Sequence, residues 1–186
     1  DTLAHSKWTV KKRLAHVNQI KERGEAILIY QENLSSDLVF ELYEDGKLVL
    51  TGGDPMMRAD IFDIIERAAA KGLRVALSPA ATPRLVHTDF RRLREAGVVS
   101  LSLSLDGATQ ETHDRFRGVP HTFERTLQVA KAVMEAGIQL QVNTTLAKST
   151  LPEMDAFIEL MKQIKPDVWS VFVLVPTGRA TADDLP

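Results

Sequence analysis

Residues 48–78, LVLTGGDPMMRADIFDIIERAAAKGLRVALS, contain a complete strand–loop–helix–strand unit, and the fold is read from it. Leu48-Val49-Leu50 is a short apolar run that ends in Thr51-Gly52-Gly53-Asp54-Pro55. From about Ala59 to Lys71, Ile61, Phe62, Ile64, Ile65 and Ala68 recur at helical spacing, and Gly72 ends the helix. Leu73 to Ser78 is a second strand, followed by a loop marked by Pro79 and Pro83.

Toward the C-terminus the rhythm repeats. A helix His87–Ala96 stops at Gly97, and strand Val98–Leu105 ends in Asp106-Gly107. A loop leads to helix Phe123–Ala136, stopped by Gly137, and strand Ile138–Thr145 follows. Helix Pro152–Ile164 opens on a proline, whose missing N–H costs nothing there. Strand Trp169–Val175 runs into Pro176-Thr177-Gly178-Arg179. Strand starts lie roughly 25 to 40 residues apart, the βαβ period. Such alternation predicts a parallel sheet with right-handed crossovers. The expected fold is α/β: a parallel sheet of at least five strands forming a partial (βα) barrel.

Toward the N-terminus the pattern is atypical. Trp8 to Arg23 reads as a helix and Ile27 to Tyr30 as a strand. Asp45-Gly46, between Leu38–Tyr43 and Leu48–Leu50, is a hairpin signal. Residues 1–47 are therefore set apart as a segment of unclear origin, and residues 48–186 as the βα body.

Composition narrows the function classes. Hydrophobic residues are 44% and charged residues 26%, which excludes a disordered chain, a collagen-like fibre and a coiled-coil rod. With 23 Lys+Arg against 25 Asp+Glu the net charge is -2, giving no global attraction to nucleic acid or anionic membrane. No apolar run approaches the roughly 18 residues of a transmembrane helix. Asp1 to Val10 lacks the apolar core of a signal peptide, so a cytoplasmic location is expected. The cysteine count is zero. That excludes disulfides, thiolate zinc sites, cysteine nucleophiles and cysteine-held iron–sulfur clusters within this chain.

Ligands of parallel α/β sheets bind at the carboxyl ends of the strands. Here those ends carry Gly52, Gly53 and Asp54; Ser78; Ser102, Ser104 and Asp106; Asn143, Thr144 and Thr145; and Thr177-Gly178-Arg179. The set is small and polar and poor in His and Lys, which suits hydrogen bonding to a polar ligand better than acid–base work. The five histidines do not cluster, and no metal-ligand spacing is present. Two readings stand on these residues alone: a noncatalytic module for a nucleoside-like ligand or peptide, and a βα-barrel enzyme for a phosphorylated metabolite held by Gly52-Gly53 and Thr177-Gly178.

Several segments resemble radical S-adenosylmethionine enzymes. Thr51-Gly52-Gly53-Asp54-Pro55, with Arg58, Asp60, Phe62 and Gly72-Leu73-Arg74-Val75, is similar to their GGE/GGD-P motif and the helix after it. Leu103-Ser104-Leu105-Asp106-Gly107, with His113-Asp114-Arg115-Phe116-Arg117-Gly118, resembles the S-(I/L/V)-D-G segment of the peptide-modifying SPASM branch. Gln141 to Thr145 and Leu174 to Arg179 look like later strands of the family. The resemblance implies reductive cleavage of S-adenosylmethionine and radical modification of a substrate, possibly a peptide, in a complete protein. It implies that Gly52, Gly53 and Asp54 bind the amino group of S-adenosylmethionine and that Ser78 lies near the methionine end. Ser104 and Asp106 would face the carboxylate or ribose, and Asn143 the ribose hydroxyls.

The family also needs a 4Fe–4S cluster held by CxxxCxxC just after the first strand, and this chain has no cysteine to hold one. The expectation is an inactive chain with weak or lost S-adenosylmethionine binding. A fragment, a misjoined product and a degenerate homologue all remain open as its origin.

Overall fold

The computed structural model describes residues 27–29, 47–51 and 54–174. The predicted helix Trp8–Arg23, the strand Leu38–Tyr43, Gly52-Gly53 and the segment Thr177-Gly178-Arg179 lie outside them. Six strands follow one another in the sheet in chain order: β1 Ile27–Ile29, β2 Lys47–Leu50, β3 Arg74–Leu77, β4 Val98–Ser104, β5 Gln139–Leu146 and β6 Val168–Val173. Between them lie α1 Ile61–Ala70, α2 Pro83–Val86, α3 Phe90–Ala96, α4 Gln110–Arg117, α5 Thr122–Glu135 and α6 Met154–Ile164. This is the expected parallel α/β architecture. The chain divides into two compact units, residues 1–79 with 91–100, and residues 80–90 with 101–186.

In the first unit β2 pairs in parallel with β1 on one side (Leu28↔Val49) and with β3 on the other (Leu48↔Val75). Both edges of β2 are thus taken by parallel neighbours, which corrects the hairpin expectation at Asp45-Gly46. Leu48 is fully buried between them, and burial of an apolar strand outweighs a local turn preference. Helix α1 turns Ile61, Ile64, Ile65 and Ala68 inward at i, i+3, i+4 and i+7 and leaves Asp63, Glu66 and Arg67 outside. Gly97 joins α3 to β4 at φ +117°, and a Cβ there would lie 2.3 Å from the Ala69 Cβ. Only glycine permits that backbone angle together with that approach of α1.

In the second unit β5 and β6 run in parallel register from Gln141↔Val168 to Leu146↔Val173. The burial of β5 alternates: Leu140, Val142 and Thr144 are buried, whereas Gln139, Gln141, Asn143 and Thr145 are not. Val129, Ala130 and Val133 of α5 and Phe157 and Met161 of α6 supply further buried apolar side chains. The Phe157 ring lies 6.5 Å, centroid to centroid, from Trp169.

Two helices depart from the sequence reading. The predicted helix His87–Ala96 starts only at Phe90, as α3, and a separate short helix, α2, stands before it in the predicted loop. Thr82 Oγ1 caps α2 by accepting from Leu85 N (3.3 Å), and Pro83 opens it. The predicted loop after Asp106-Gly107 contains α4. Apolar periodicity is absent from Gln110–Arg117, so the helix is invisible to that test. Its ends are nevertheless marked, by a Thr109–Thr112 capping box and by Gly118 at φ +70°.

Candidate functional site

The first unit presents the residues after β2 and β3. Asp54 Oδ1 accepts from Met56 N (3.0 Å) and caps the 3-10 turn Pro55–Met57. The next two residues behave differently: Met56 is buried and Met57 is exposed. Arg58 and Asp60 form a two-pronged ion pair at 2.9 and 2.8 Å, and the hydrogen bond from Arg58 holds the Asp60 carboxyl below its usual range. Ser78 is half-buried, and its N–H donates to Leu50 O (2.9 Å), which places it beside the end of β2.

The second unit gathers Ser104, Asp106 and Asn143. Ser104 is the last residue of β4 and half-buried. Leu105 N donates to Asn143 O (2.8 Å), and Thr144 Oγ1 donates to Leu105 O (2.9 Å). Asn143 lies inside β5, three residues before its end. Its Oδ1 accepts from Gln141 Nε2 (2.9 Å), which also reaches Ser170 Oγ (3.2 Å). Gln141, Asn143 and Thr145 share a strand face with Val168, Ser170 and Phe172 across the ladder. The result is a half-open polar face with one amide held by another. Gln141 and Ser170 were not among the sequence candidates, although the alternation Gln139, Gln141, Asn143, Thr145 marks the face.

Asp106 is unlike the others, being 1% exposed. Its Oδ1 accepts from Thr145 N (2.7 Å) at the far end of β5. Its Oδ2 stands 3.4 Å from Arg117 Nη1 and has no hydrogen-bond partner. Its own N–H donates to His113 Nδ1 (3.0 Å), so the neutral imidazole carries its proton on Nε2. His113 is buried to the same degree. Burial pushes its pKa down, Asp106 and Asp114 oppose this, and Arg117 reinforces it.

The helix that sequence reasoning missed completes the arrangement. Glu153 Oε2 accepts from Ala108 N (2.8 Å) and Thr112 Oγ1 (2.9 Å) at the start of α4. Asp114 accepts from His121 N, Thr122 Oγ1 (2.8 Å) and Phe123 N (2.9 Å), capping α5 from the neighbouring helix. Burial works to raise the Asp114 pKa, but these three hydrogen bonds outweigh it and lower it. Arg125 Nε donates to Ala81 O (2.9 Å) and fastens the loop before α2 to α5.

The chemistry available at these residues is hydrogen bonding, not proton transfer. Ser104 and Asn143 offer donors and acceptors, and the buried imidazole of His113 has its Nδ1 occupied by a backbone N–H. Among the described residues no group of three or more His, Asp or Glu side chains could hold a metal ion. No helix among them is long and apolar enough to cross a membrane.

The family model of the radical SAM superfamily matches residues 35–172. The chain belongs to that superfamily. An AdoMet-dependent heme synthase of Oleidesulfovibrio alaskensis is 42% identical over 133 residues, covering 72% of this chain and 34% of that protein. A second, of Methanosarcina barkeri, is 44% identical over 140 residues, covering 74% and 39%. The chain thus spans little more than a third of the length of these curated relatives. Solved radical SAM structures share the fold: anSMEcpe with bound AdoMet and a Cp18Cys peptide (TM-score 0.66, 13% identity, 86% of this chain and 48% of that one) and Streptococcus suis SuiB (TM-score 0.61, 16% identity, 96% and 36%).

The family's 4Fe–4S cluster does not fit the residues present. The resemblance places its cysteines just after the first strand. In this chain β1 pairs as a first strand against β2, and residues 30–46 between them contain no cysteine, like the rest of the chain.

Proposed function

We propose that this chain is the S-adenosylmethionine-side core of a SPASM-type radical SAM protein, retaining part of the nucleoside-binding frame without the means to cleave the ligand. Within the second unit, Ser104 and Asn143 meet the ribose. Their small polar side chains offer hydrogen bonds to a hydroxyl-rich ligand without exchanging protons. The observation that carries this reading is the half-open Gln141–Asn143–Ser170 face, lying within the matched segment of the family. No radical step is assigned to the chain, because the cluster that supplies the electron has no thiolate here.

The substrate class of a cysteine-bearing counterpart is proposed as an iron tetrapyrrole rather than a peptide. Relatives named as heme synthases are 40–44% identical, whereas one named PqqA peptide cyclase is 30% identical over 118 residues. The proposed location is the cytoplasm.

Ligand-observed NMR with S-adenosylhomocysteine tests the nucleoside reading. The cluster normally chelates the amino and carboxylate groups, so the expected affinity is weak, near 1 mM or about -4 kcal/mol. Asn143→Ala should weaken it by about 1 kcal/mol or more. Absence of binding at several millimolar ligand, or an unchanged affinity in the variant, would remove the assignment. Anaerobic treatment with iron and sulfide should leave the protein colourless, and a stoichiometric cluster with broad visible absorption would overturn the noncatalytic reading.

A further inference from the structure

We propose that Asp106 is a positioning residue, which sets the β5 face for its ligand and does not itself touch the ligand. The proposal rests on the nucleoside reading above and changes the role that the resemblance gives Asp106. A group that meets a ligand must offer it an accessible atom. The Asp106 side chain is 2% exposed and lies under Arg117, whose own side chain is 39% exposed. Its polar atoms point at the protein instead: Oδ1 takes Thr145 N, Oδ2 lies against Arg117, and the backbone N–H is fixed by His113.

What Asp106 joins is the argument for its role. Thr145 stands two residues after Asn143 on the same face of β5. The backbone of β4 reaches β5 through Leu105 N and Asn143 O, and Asp106 adds the next tie, side chain to main chain, beyond the end of β4. Asn143 is therefore bracketed by one bond at its own carbonyl and one two residues on. Loss of the second lets the end of β5 move relative to Ser104, and Ser104 and Asn143 are the half-buried pair that the nucleoside reading assigns to the ribose.

The test has two arms on the 186-residue chain. Amide hydrogen exchange without ligand reads the joint. In Asp106→Ala the Thr145 amide should exchange about 10-fold faster or more. Asp106→Asn keeps an oxygen acceptor of the same shape and should return the rate to within about 3-fold of the parent. S-adenosylhomocysteine affinity reads the positioning. Asp106→Ala should weaken binding, Asp106→Asn should restore most of it, and the double variant Asp106→Ala/Asn143→Ala should bind no more than about 2-fold weaker than Asn143→Ala alone. An unchanged Thr145 rate in Asp106→Ala overturns the proposal, as do fully additive losses in the double variant, which are the mark of direct contact. If the parent chain binds no ligand, the nucleoside reading fails by itself, and the exchange arm still decides whether Asp106 holds β5. If Asp106→Ala fails to fold, Asp106→Asn with Arg117→Gln carries both arms: each should keep the Thr145 rate near the parent value, and affinity lost in Asp106→Asn with that rate unchanged overturns the proposal.

Discussion

Gly107→Ala should be far more damaging than Gly72→Ala, although each adds one methyl group. At Gly107 an added Cβ would meet His113 N at 2.1 Å, His113 Cα at 2.6 Å and Thr112 C at 2.6 Å. All three are backbone atoms of α4, so no side chain can turn away. The turn and the helix must separate by about 1 Å or more to reach ordinary contact distance. That movement stretches the Asp106 N–His113 Nδ1 bond and the Glu153 bonds to Ala108 N and Thr112 Oγ1, now 3.0, 2.8 and 2.9 Å. Overpacking of this kind costs about 1–3 kcal/mol, and a buried donor left without its partner about 1–3 more. The combined loss is about 4 kcal/mol, or a fall in Tm of about 8–16 °C for a chain of this size. At Gly72 a Cβ would meet nothing within 4 Å, and only its φ of +79° resists substitution. That strain costs about 1–2 kcal/mol. Urea unfolding followed by circular dichroism gives both values as shifts in midpoint at constant slope. A Gly107→Ala protein as stable as Gly72→Ala would refute the reasoning, because it would mean that α4 is free to move away.

Two further outcomes are expected. Burial depresses the His113 pKa, so below about pH 6.5 the unfolded chain takes up a proton that the folded chain resists; His113 therefore contributes stability in full above about pH 6.5 and loses it as pH falls toward the lowered folded value. Urea midpoints between pH 7.5 and 5 should decline less in His113→Asn than in the parent, and parallel declines would show that the imidazole is not responsible. Asp114→Ala removes the acceptor for His121 N, Thr122 Oγ1 and Phe123 N, and should cost about 1–2 kcal/mol with the loss centred on the first turn of α5; hydrogen exchange confined to other segments would contradict this.

The parallel body was legible because its signals are periodic. Apolar runs of strand length, helices with inward i, i+3, i+4 residues and the Gly72, Gly97 and Gly137 stops recur in order, and the glycines do adopt positive φ. The missed helix α4 shows the limit of that method. Gln110-Glu111-Thr112-His113-Asp114-Arg115-Phe116-Arg117 has no apolar stripe, because it is held by polar bonds through Glu153, Asp106 and Asp114 rather than by a greasy face. The hairpin failed for the opposite reason: Asp45-Gly46 is a local signal, whereas the partners of β2 come from 21 and 27 residues away in register, Ile27↔Leu48 and Lys47↔Arg74. At the site, residue type alone marked Ser104, Asp106 and Asn143. It could not tell an aspartate that faces outward from one that is buried, since the difference lies in Thr145 N and Arg117, 39 and 11 positions away.

The way α4 is fastened makes its length a measuring rule. His113 and Arg117, four residues apart, both reach Asp106, while Asp114, next to His113, turns toward the start of α5. Each residue advances a helix by about 100°. One residue inserted between Thr109 and His113 would therefore swing the imidazole and the guanidinium off Asp106 together and carry the Asp114 carboxylate away from α5. The span from Gly107 to Gly118 should tolerate changes of side chain at Glu111 and Arg115, which pair with each other at the surface, but no change in the number of residues.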